Sequence, residues 1–355
     1  MKNISKFVVS NEASIRAAVQ QMDMGGMGFV AITDSEGFLL GIVTDGDFRR
    51  AILNGVSLDE NILKITNKAF KYLDAGCHKD EIIEHYKNYL VECLPILDNG
   101  KLVDIIFYRD LYGDEDIEQS RQEILDLPVV IMAGGKGTRL DPFTRILPKA
   151  LIPIGEKPVI DIIMEEYARQ GMRNFYISVN NKSKMIKAYL GDQNAEDYKI
   201  RFIEEDKPLG TAGSLKYLMD KIDTPFFVSN CDIIVKNSYY EIYKHHMDGS
   251  YDMTIVGSLQ HHTIPYGVCK FEHGGLLKSI HEKPKFDFVV NTGMYLLNPD
   301  VLKVIPEASS FDMTELIHEL KKKDFRVGVF PISEKSWIDI GQLTEYKKAI
   351  KDLTE

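Results

Sequence analysis

Cysteine is scarce in this chain: four residues among 355, Cys77, Cys93, Cys231 and Cys269, all far apart. None forms a CxxC pair, which argues against a zinc site or a disulfide framework and for reduced thiols in a cytoplasmic setting. Long apolar runs are absent as well. None approaches the roughly 20 residues that cross a bilayer, so no membrane partner is expected. The opening MKNISKFVVSNEAS has an early lysine but no long apolar stretch and no small-residue cleavage site, so no signal peptide is expected. Positive charge is in deficit: 43 Lys and Arg stand against 53 Asp and Glu, a net charge of −10 with a pI near 5.5. Bulk attraction to nucleic acid or anionic lipid is thereby excluded, although one loop can still bind an anion locally.

What is present suits a soluble globular chain of two or three domains, with 44% hydrophobic and 27% charged residues. A polar stretch at residues 113–127, acidic at its start, separates two apolar strand-like runs and reads as a linker with room for a short helix. Before it lies a weak repeat of helix, strand, turn, strand, helix. The first copy runs through SIRAAVQQMD, GFVAITD, SEG, FLLGIVT and DGDFRRAIL; the second through KDEIIEHYKNY, VECLPILD, NG, KLVDIIF and YRDLY. Two such units are expected to pack together and bury their faces. After the linker, strands alternate with helices of ~10–15 residues, the pattern of a parallel, doubly wound sheet whose ligands bind at the strands' carboxyl ends. The expected helices include residues 158–171, 182–191 and 211–222. The segment 225–234 reads as one buried strand.

The repeat resembles a pair of CBS domains, a Bateman module. GIVTDGD, residues 41–47, matches that family's ribose-phosphate motif. The resemblance implies that Thr44 and Asp47 contact an adenine nucleotide. The second copy keeps Asp110 at the aspartate position but has Phe107 where a threonine belongs. A module that only packs and dimerises, giving a homo-oligomer, stays open beside the nucleotide-binding one.

Residues 133–158, AGGKGTRLDPFTRILPKALIPIGEKP, carry the chemistry. A buried strand runs into Gly134, Gly135, Lys136 and Gly137, where glycines let backbone N–H groups approach a polyphosphate. Neither the Walker spacing nor GxGxxG is present. The full string resembles the signature of the sugar-1-phosphate nucleotidyltransferases: GGxGTRL, then PK, then P at a fixed offset. The resemblance covers nearly all of residues 128–355. It implies an α/β fold, a Rossmann-like doubly wound mixed sheet, preceded here by the α+β CBS pair. Expected boundaries are 1–57 and 58–115 for the two CBS domains, 116–127 for the linker and 128–355 for the transferase.

Later landmarks fit the same resemblance. FFVSNCDII places Asp232 just after a buried strand, a position suited to Mg²⁺, which prefers hard oxygens plus phosphates. WIDIGQLTEY places Asp339 between Trp337 and Gly341; the resemblance implies that both aspartates bind Mg²⁺. YGV supplies Gly267, HEKPKF supplies Glu282 and Lys283, and VVNTGMYLLNP supplies Asn291 and Gly293, segments that hold the sugar and its phosphate in the family. Ala133, Gly134, Gly135, Gly137 and Thr138, with Gly210 and Gly213, would bind the nucleotide. The implied reaction is attack of a sugar-1-phosphate oxygen on the α-phosphorus of a nucleoside triphosphate, with pyrophosphate leaving. Positioning and charge neutralisation suffice, because the nucleophile is already anionic. Arg139 would hold the pyrophosphate, Lys149 would bridge the phosphates, and Lys283 would anchor the sugar phosphate.

Base choice is read from EEDKPLGTAGSL, residues 204–215. Thymidylyl and uridylyl relatives commonly place an amide five residues before the glycine that is Gly210 here; this chain has Glu205. A carboxylate only accepts hydrogen bonds, which suits the N1–H and N2 amine of guanine. GTP is therefore the expected donor, with Glu204 an alternative reader and a thymidylyl- or uridylyltransferase for glucose-1-phosphate the rival reading. The domain order resembles guanylyltransferases that make GDP-glucosamine for legionaminic acid, so glucosamine-1-phosphate is favoured and mannose-1-phosphate follows. A non-catalytic, nucleotide-sensing subunit should have lost one of Arg139, Lys149, Asp232, Lys283 and Asp339, and all five are present. The pairs His245–His246 and His261–His262 read as surface residues rather than a metal site, and KKKD at 321–324 as a solvated helix end.

Overall fold

A computed structural model describes residues 4–78, 81–85, 93–107, 125–191, 198–342 and 344–346. The chain divides into two compact units, Met1–Gln122 and Glu123–Glu355.

In the first unit the first copy takes the expected shape, and of the second copy the hairpin is described, its closing helix and most of its first helix lying outside the described residues. Strand β1 (Val8–Ser10) precedes helix α1 (Ile15–Gly25), which buries Ile15, Ala18, Val19 and Met22 along one face. Those positions are three and four apart, the spacing of a helical stripe. The Ser14 hydroxyl accepts from the Ala17 N–H and caps the start, a device worth about 1 kcal/mol. Strands β2 (Phe29–Thr33) and β3 (Leu39–Thr44) form a hairpin, and α2 (Asp45–Leu53) follows. The second copy contributes β4 (Leu73–Asp74), β5 (Cys93–Asp98) and β6 (Lys101–Phe107). The copies pack together: Phe29, Ala31 and Ile42 share one core with Cys93, Ile105 and Phe107. Their hairpin turns are also tied, Leu39 N–H to Gly100 O (3.1 Å) and Leu102 N–H to Gly37 O (3.0 Å).

The second unit is built on a seven-stranded sheet. Its strands are β7 (Val129–Met132), β8 (Asn174–Val179), β9 (Lys199–Glu204), β10 (Phe226–Asn230), β12 (Met253–Thr263), β15 (Lys285–Leu297) and β16 (Val327–Ile332), in the order β9-β8-β7-β10-β15-β12-β16. The first four are parallel; β15 runs antiparallel to both β10 and β12, so the sheet is mixed. Helices α3 (Val159–Arg169), α4 (Ser183–Gly191), α5 (Tyr239–Asp248) and α6 (Met313–Lys322) are the longer helices among the unit's described residues. Alternate residues of β7 serve different layers. Val129 and Ile131 pack with Ile163, Tyr167 and Ile177, whereas Val130 and Met132 pack with Leu215, Leu218 and Leu316. That period of two is why a central strand reads as an unbroken apolar run. Each such side chain, fully buried, contributes roughly 1.5–3 kcal/mol.

Two sequence expectations need correction. Residues 225–234 are not one strand. The chain leaves the main sheet after Asn230, and β11 (Ile233–Val235) pairs instead with β17 (Trp337–Asp339). Nor is 211–222 an α-helix. Only Gly213–Leu218 is helical, as a 3₁₀ segment. The N–H groups of Ala212 and Gly213 both donate to Phe311 O, which anchors the segment from outside. A further small sheet pairs β13 (Val268–Phe271) with β14 (Leu277–His281).

Candidate active site

The carboxyl ends of β7, β8 and β10 converge, as expected for ligand-binding ends of parallel strands. Ala133, just past β7, donates its N–H to Ser178 O (2.9 Å) and holds the glycine loop against β8. Gly137 has φ +67°, a left-handed conformation that suits glycine, and a Cβ there would lie 2.8 Å from Thr144 Cγ2 and 3.2 Å from Lys149 Cβ. The turn folds back so that the Thr144 hydroxyl donates to Gly137 O (3.0 Å). Thr138, Arg139 and Gly135 remain exposed to solvent.

Lys149 reaches across to form an ion pair with Asp232, both side chains largely buried. The β11–β17 ladder then delivers the second carboxylate: Ile233 pairs with Asp339, and the Ile340 N–H donates to Asp232 O (2.9 Å). Gly341 sits in the middle of this group. A Cβ on it would lie 2.5 Å from Asp232 Oδ2, 3.0 Å from Asp339 Oδ1 and 3.5 Å from Lys149 Nζ. The Gly341 N–H donates to Asp339 Oδ1 (2.7 Å). Burial pushes the Asp339 carboxyl above its usual range; the Gly341 bond opposes this and the Asp232 charge adds to it. Two converging carboxylates beside one ammonium could hold a divalent cation that keeps water and phosphate among its ligands. Among the described residues no group of three or more His, Cys, Asp or Glu forms a complete cage. The neighbouring Cys231 thiol is buried and pushed up to about 12, chiefly by desolvation, so no thiolate is available as a nucleophile.

Glu205 lies beside the glycine loop; a Cβ on Gly134 would be 2.9 Å from its Oε1. Both its oxygens are engaged. Oε1 accepts from the Ser178 hydroxyl (2.5 Å) and Oε2 from the Leu209 N–H (3.0 Å). Gly210 and Gly213 pack on residues 309–312. Gly267 touches Glu282, and Gly293 touches Asn230 at the end of β10. The Asn291 side chain turns onto its own strand, donating to Tyr295 Oη (2.8 Å) and accepting from the Gly293 N–H (3.0 Å). Lys283 and Glu282 are exposed, Lys283 with φ +44°. Neither Lys283 nor Arg139 has an ion pair among the described residues. The cluster therefore unites Lys149, Asp232 and Asp339; Asn291 and Gly293 lie on β15 of the main sheet, with Gly293 against Asn230, while Gly267, Glu282 and Lys283 flank the small β13–β14 sheet.

Lys182 was not singled out from sequence. It follows β8 with φ +55° and donates to Thr144 O (2.6 Å), bracing the loop that carries Arg139 and Lys149. Its position just beyond a strand's carboxyl end is the signal that could have found it.

In the first unit Thr44 and Asp47 cap α2 reciprocally. The Thr44 N–H (2.9 Å) and hydroxyl (2.7 Å) both donate to Asp47 Oδ2, and Arg50 pairs with Asp47 (2.5 Å). Asp110 lies outside the described residues, and so does most of the expected linker. Phe107 is buried against Phe7 and Phe29, with ring centroids 4.8 and 6.1 Å away. The surface reading of the histidines fails at His246, which is buried and bonded to Thr254 (2.8 Å) and Asn298 (3.1 Å).

Residues 128–355 match the family described as Nucleotidyl transferase, and residues 3–54 match the CBS domain. The chain belongs to the nucleotidyl transferase family. Among curated proteins it is similar to a mannose-1-phosphate guanyltransferase of Yarrowia lipolytica, 33% identical over 225 residues, and to one of Emericella nidulans, 34% identical over 229. The matches cover 61% and 62% of this chain and the same shares of those proteins, so the chain spans less than two-thirds of their length. Among solved structures it resembles HddC from Yersinia pseudotuberculosis, with a TM-score of 0.52 and 29% identity over 64% of this chain and 99% of that one. The same protein complexed with GMP-PN gives a TM-score of 0.51 and 28% identity over 64% of this chain and 99% of that one. No helix among the described residues is long and apolar enough to cross a membrane.

Proposed function

We propose that this chain transfers a nucleoside monophosphate from a nucleoside triphosphate, GTP in our reading, to the phosphate of a hexose-1-phosphate. The observation that carries this is the convergence of Lys149, Asp232 and Asp339 under the glycine loop. A phosphate oxygen of the sugar attacks the α-phosphorus, the α–β phosphoanhydride bond breaks, and pyrophosphate leaves with the electron pair. No base is needed for an anionic nucleophile. Lys149, released from Asp232 as the phosphates enter, neutralises the α-phosphate and the incoming phosphate. Arg139, exposed beside the loop, meets the leaving pyrophosphate, and Lys283 anchors the sugar phosphate. Asp232 and Asp339 would hold Mg²⁺, which supplies neutralisation of the phosphate oxygens when bound.

GTP as donor is supported by Glu205 beside Gly134, whose carboxylate keeps lone pairs beyond the two it uses. It is supported too by relatives named guanyltransferases and by a neighbour crystallised with GMP-PN. Glucosamine-1-phosphate is the acceptor suggested by domain order; mannose-1-phosphate is the one named in the relatives. For the N-terminal unit, an adenine nucleotide would have to displace the bonds between Thr44 and Asp47.

The test pairs GTP, UTP, dTTP, ATP and CTP with glucosamine-, mannose- and glucose-1-phosphate and identifies the product by mass. A GDP-sugar is expected, and Glu205→Gln should narrow the preference for GTP over UTP by roughly tenfold. Faster formation of a UDP- or dTDP-sugar by the unaltered chain overturns the donor assignment.

A further inference from the structure

Two wholly buried hydroxyls lie behind Glu205. Ser178, on β8, and Ser214, in the 3₁₀ segment, are both 0% exposed. Successive strand residues point to opposite faces, so Ser178 shares a face with Tyr176 and not with Ile177 and Val179. Tyr176 packs in an apolar layer with Val130, Met132 and Leu215. A hydroxyl buried in such surroundings is costly unless its hydrogen bonds are made. Here they are made: Ser178 Oγ lies 2.5 Å from Glu205 Oε1 and 3.0 Å from Ser214 Oγ.

The direction of each bond follows from the chemistry. A carboxylate only accepts, so the single Ser178 proton goes to Glu205. Ser178 Oγ then accepts from Ser214, whose other neighbour, Met132 Sδ at 4.0 Å, is a weak acceptor. Ser178 also acts through its backbone, where its carbonyl takes the Ala133 N–H (2.9 Å). One residue thus holds both the glycine loop and Glu205. The far end is fixed as well, because the Gly213 N–H donates to Phe311 O (2.9 Å). Such anchoring matters because the terminal torsion of a glutamate has no sharp rotamer well. Outside bonds must settle how its carboxylate plane lies. Ser178 uses one lone pair of Oε1, and the Leu209 N–H (3.0 Å) uses one of Oε2. Each oxygen keeps one more. That leaves two adjacent acceptors for two adjacent donors, such as the N1–H and N2 amine of guanine.

We propose, resting on Glu205 as the reader of the base, that Ser178 and Ser214 are positioning residues for donor selection. The hydroxyl pair fixes the plane of the Glu205 carboxylate and with it the preference for guanine. Both serines are covered by protein, so they act through Glu205 rather than on the nucleotide. Without the Ser178 bond the carboxylate is free to turn, and its two acceptors no longer meet two donors at once. Affinity for GTP then falls towards that for UTP.

Titration calorimetry of the full chain with GTP and with UTP, in Mg²⁺, reads the preference as a ratio of dissociation constants. Ser178→Ala should narrow that ratio by roughly fivefold, chiefly through weaker GTP binding. Ser178→Ala combined with Ser214→Ala strands no buried hydroxyl. It should give the same ratio as Ser178→Ala alone, because Ser214 acts only through Ser178, with a melting temperature close to the parent's. Ser229→Ala removes another wholly buried strand hydroxyl, one bonded to Asn230 O (3.0 Å), and should leave the ratio unchanged. Glu205→Gln is measured beside them. A narrowed ratio in Glu205→Gln with an unchanged ratio in both serine variants overturns the role of the hydroxyl pair and leaves the donor reading standing. An unchanged ratio in Glu205→Gln, or a parent without preference for GTP, overturns both. An equal fall in Ser229→Ala reduces Ser178 to a residue of the fold and overturns the proposal.

Discussion

Lys149 and Asp232, 83 residues apart in sequence, form an ion pair just beyond the carboxyl end of a central strand. Lys149 comes from the signature loop and Asp232 from the break between β10 and β11. Their pairing joins the part of the chain that would hold the nucleotide to the part that would hold a cation. Replacing Asp232 by Asn should lower turnover by about 10²-fold or more. The melting temperature should change by only a few degrees. Pyrophosphate release and thermal unfolding, measured together, separate loss of chemistry from loss of fold; near-parental turnover would remove Asp232 from the mechanism.

Gly341 is required by space rather than by backbone conformation. Its missing Cβ would sit 2.5 Å from Asp232 Oδ2. In Gly341→Ala the methyl group should push the two carboxylates apart, and displacement of about 1 Å can cost about 10²-fold in rate. The expected signature is a lower kcat with a higher Mg²⁺ requirement. Unchanged dependence on Mg²⁺ and unchanged kcat would mean that the aspartates do not act together.

Lys182 braces the signature loop without belonging to the Lys149–Asp232–Asp339 group. Lys182→Met should remove the bond to Thr144 O and lower kcat by roughly tenfold through misplacement of Lys149. Lys182→Arg, which can still donate to a carbonyl, should recover much of the loss. Equal loss in both variants, matched by equal loss of thermal stability, would make Lys182 a residue of the fold alone.

His246 makes stability depend on pH. Burial lowers its pKa below the ordinary 6.5 and outweighs the Asn298 bond and the Asp252 charge, which favour the protonated ring. The unfolded chain takes up the proton first as pH falls, so it holds more protons than the folded chain between the two pKa values. Stability therefore rises with pH across that interval and is lost as pH drops from about 6.5 towards the lowered value. Urea unfolding should give a lower midpoint at about pH 5.5 than at about pH 7.5, with a smaller difference in His246→Gln. A higher midpoint at the lower pH would contradict the buried neutral ring.

Much of this was legible in the sequence because it was local. The strand of Val129 to Met132 and the glycines after it announce themselves by apolar continuity and by composition. So does the helical stripe of Ile15, Ala18, Val19 and Met22. Long-range choices were not legible. Asp232 was visible as a strand-end carboxylate and Asp339 only through its motif; that they share a site was implied by resemblance alone, and the Ile233–Asp339 pairing supplies the physical reason. The run from Phe226 to Ile234 looks continuous because both its pieces are buried, and the change of sheet after Asn230 leaves no trace in hydropathy. Glu205 could be placed near the base only by offset. That Ser178 and the Leu209 N–H already engage its carboxylate depends on which strands are neighbours. His246 looked like a surface residue because a pair of histidines says nothing about which one faces Thr254.

The most direct test of the central claim is pyrophosphate release by the purified full chain, given GTP and a hexose-1-phosphate with Mg²⁺. One pyrophosphate per nucleotide sugar, with neither substrate sufficing alone, is the predicted result. No pyrophosphate from any pairing of nucleoside triphosphate and sugar-1-phosphate would contradict it.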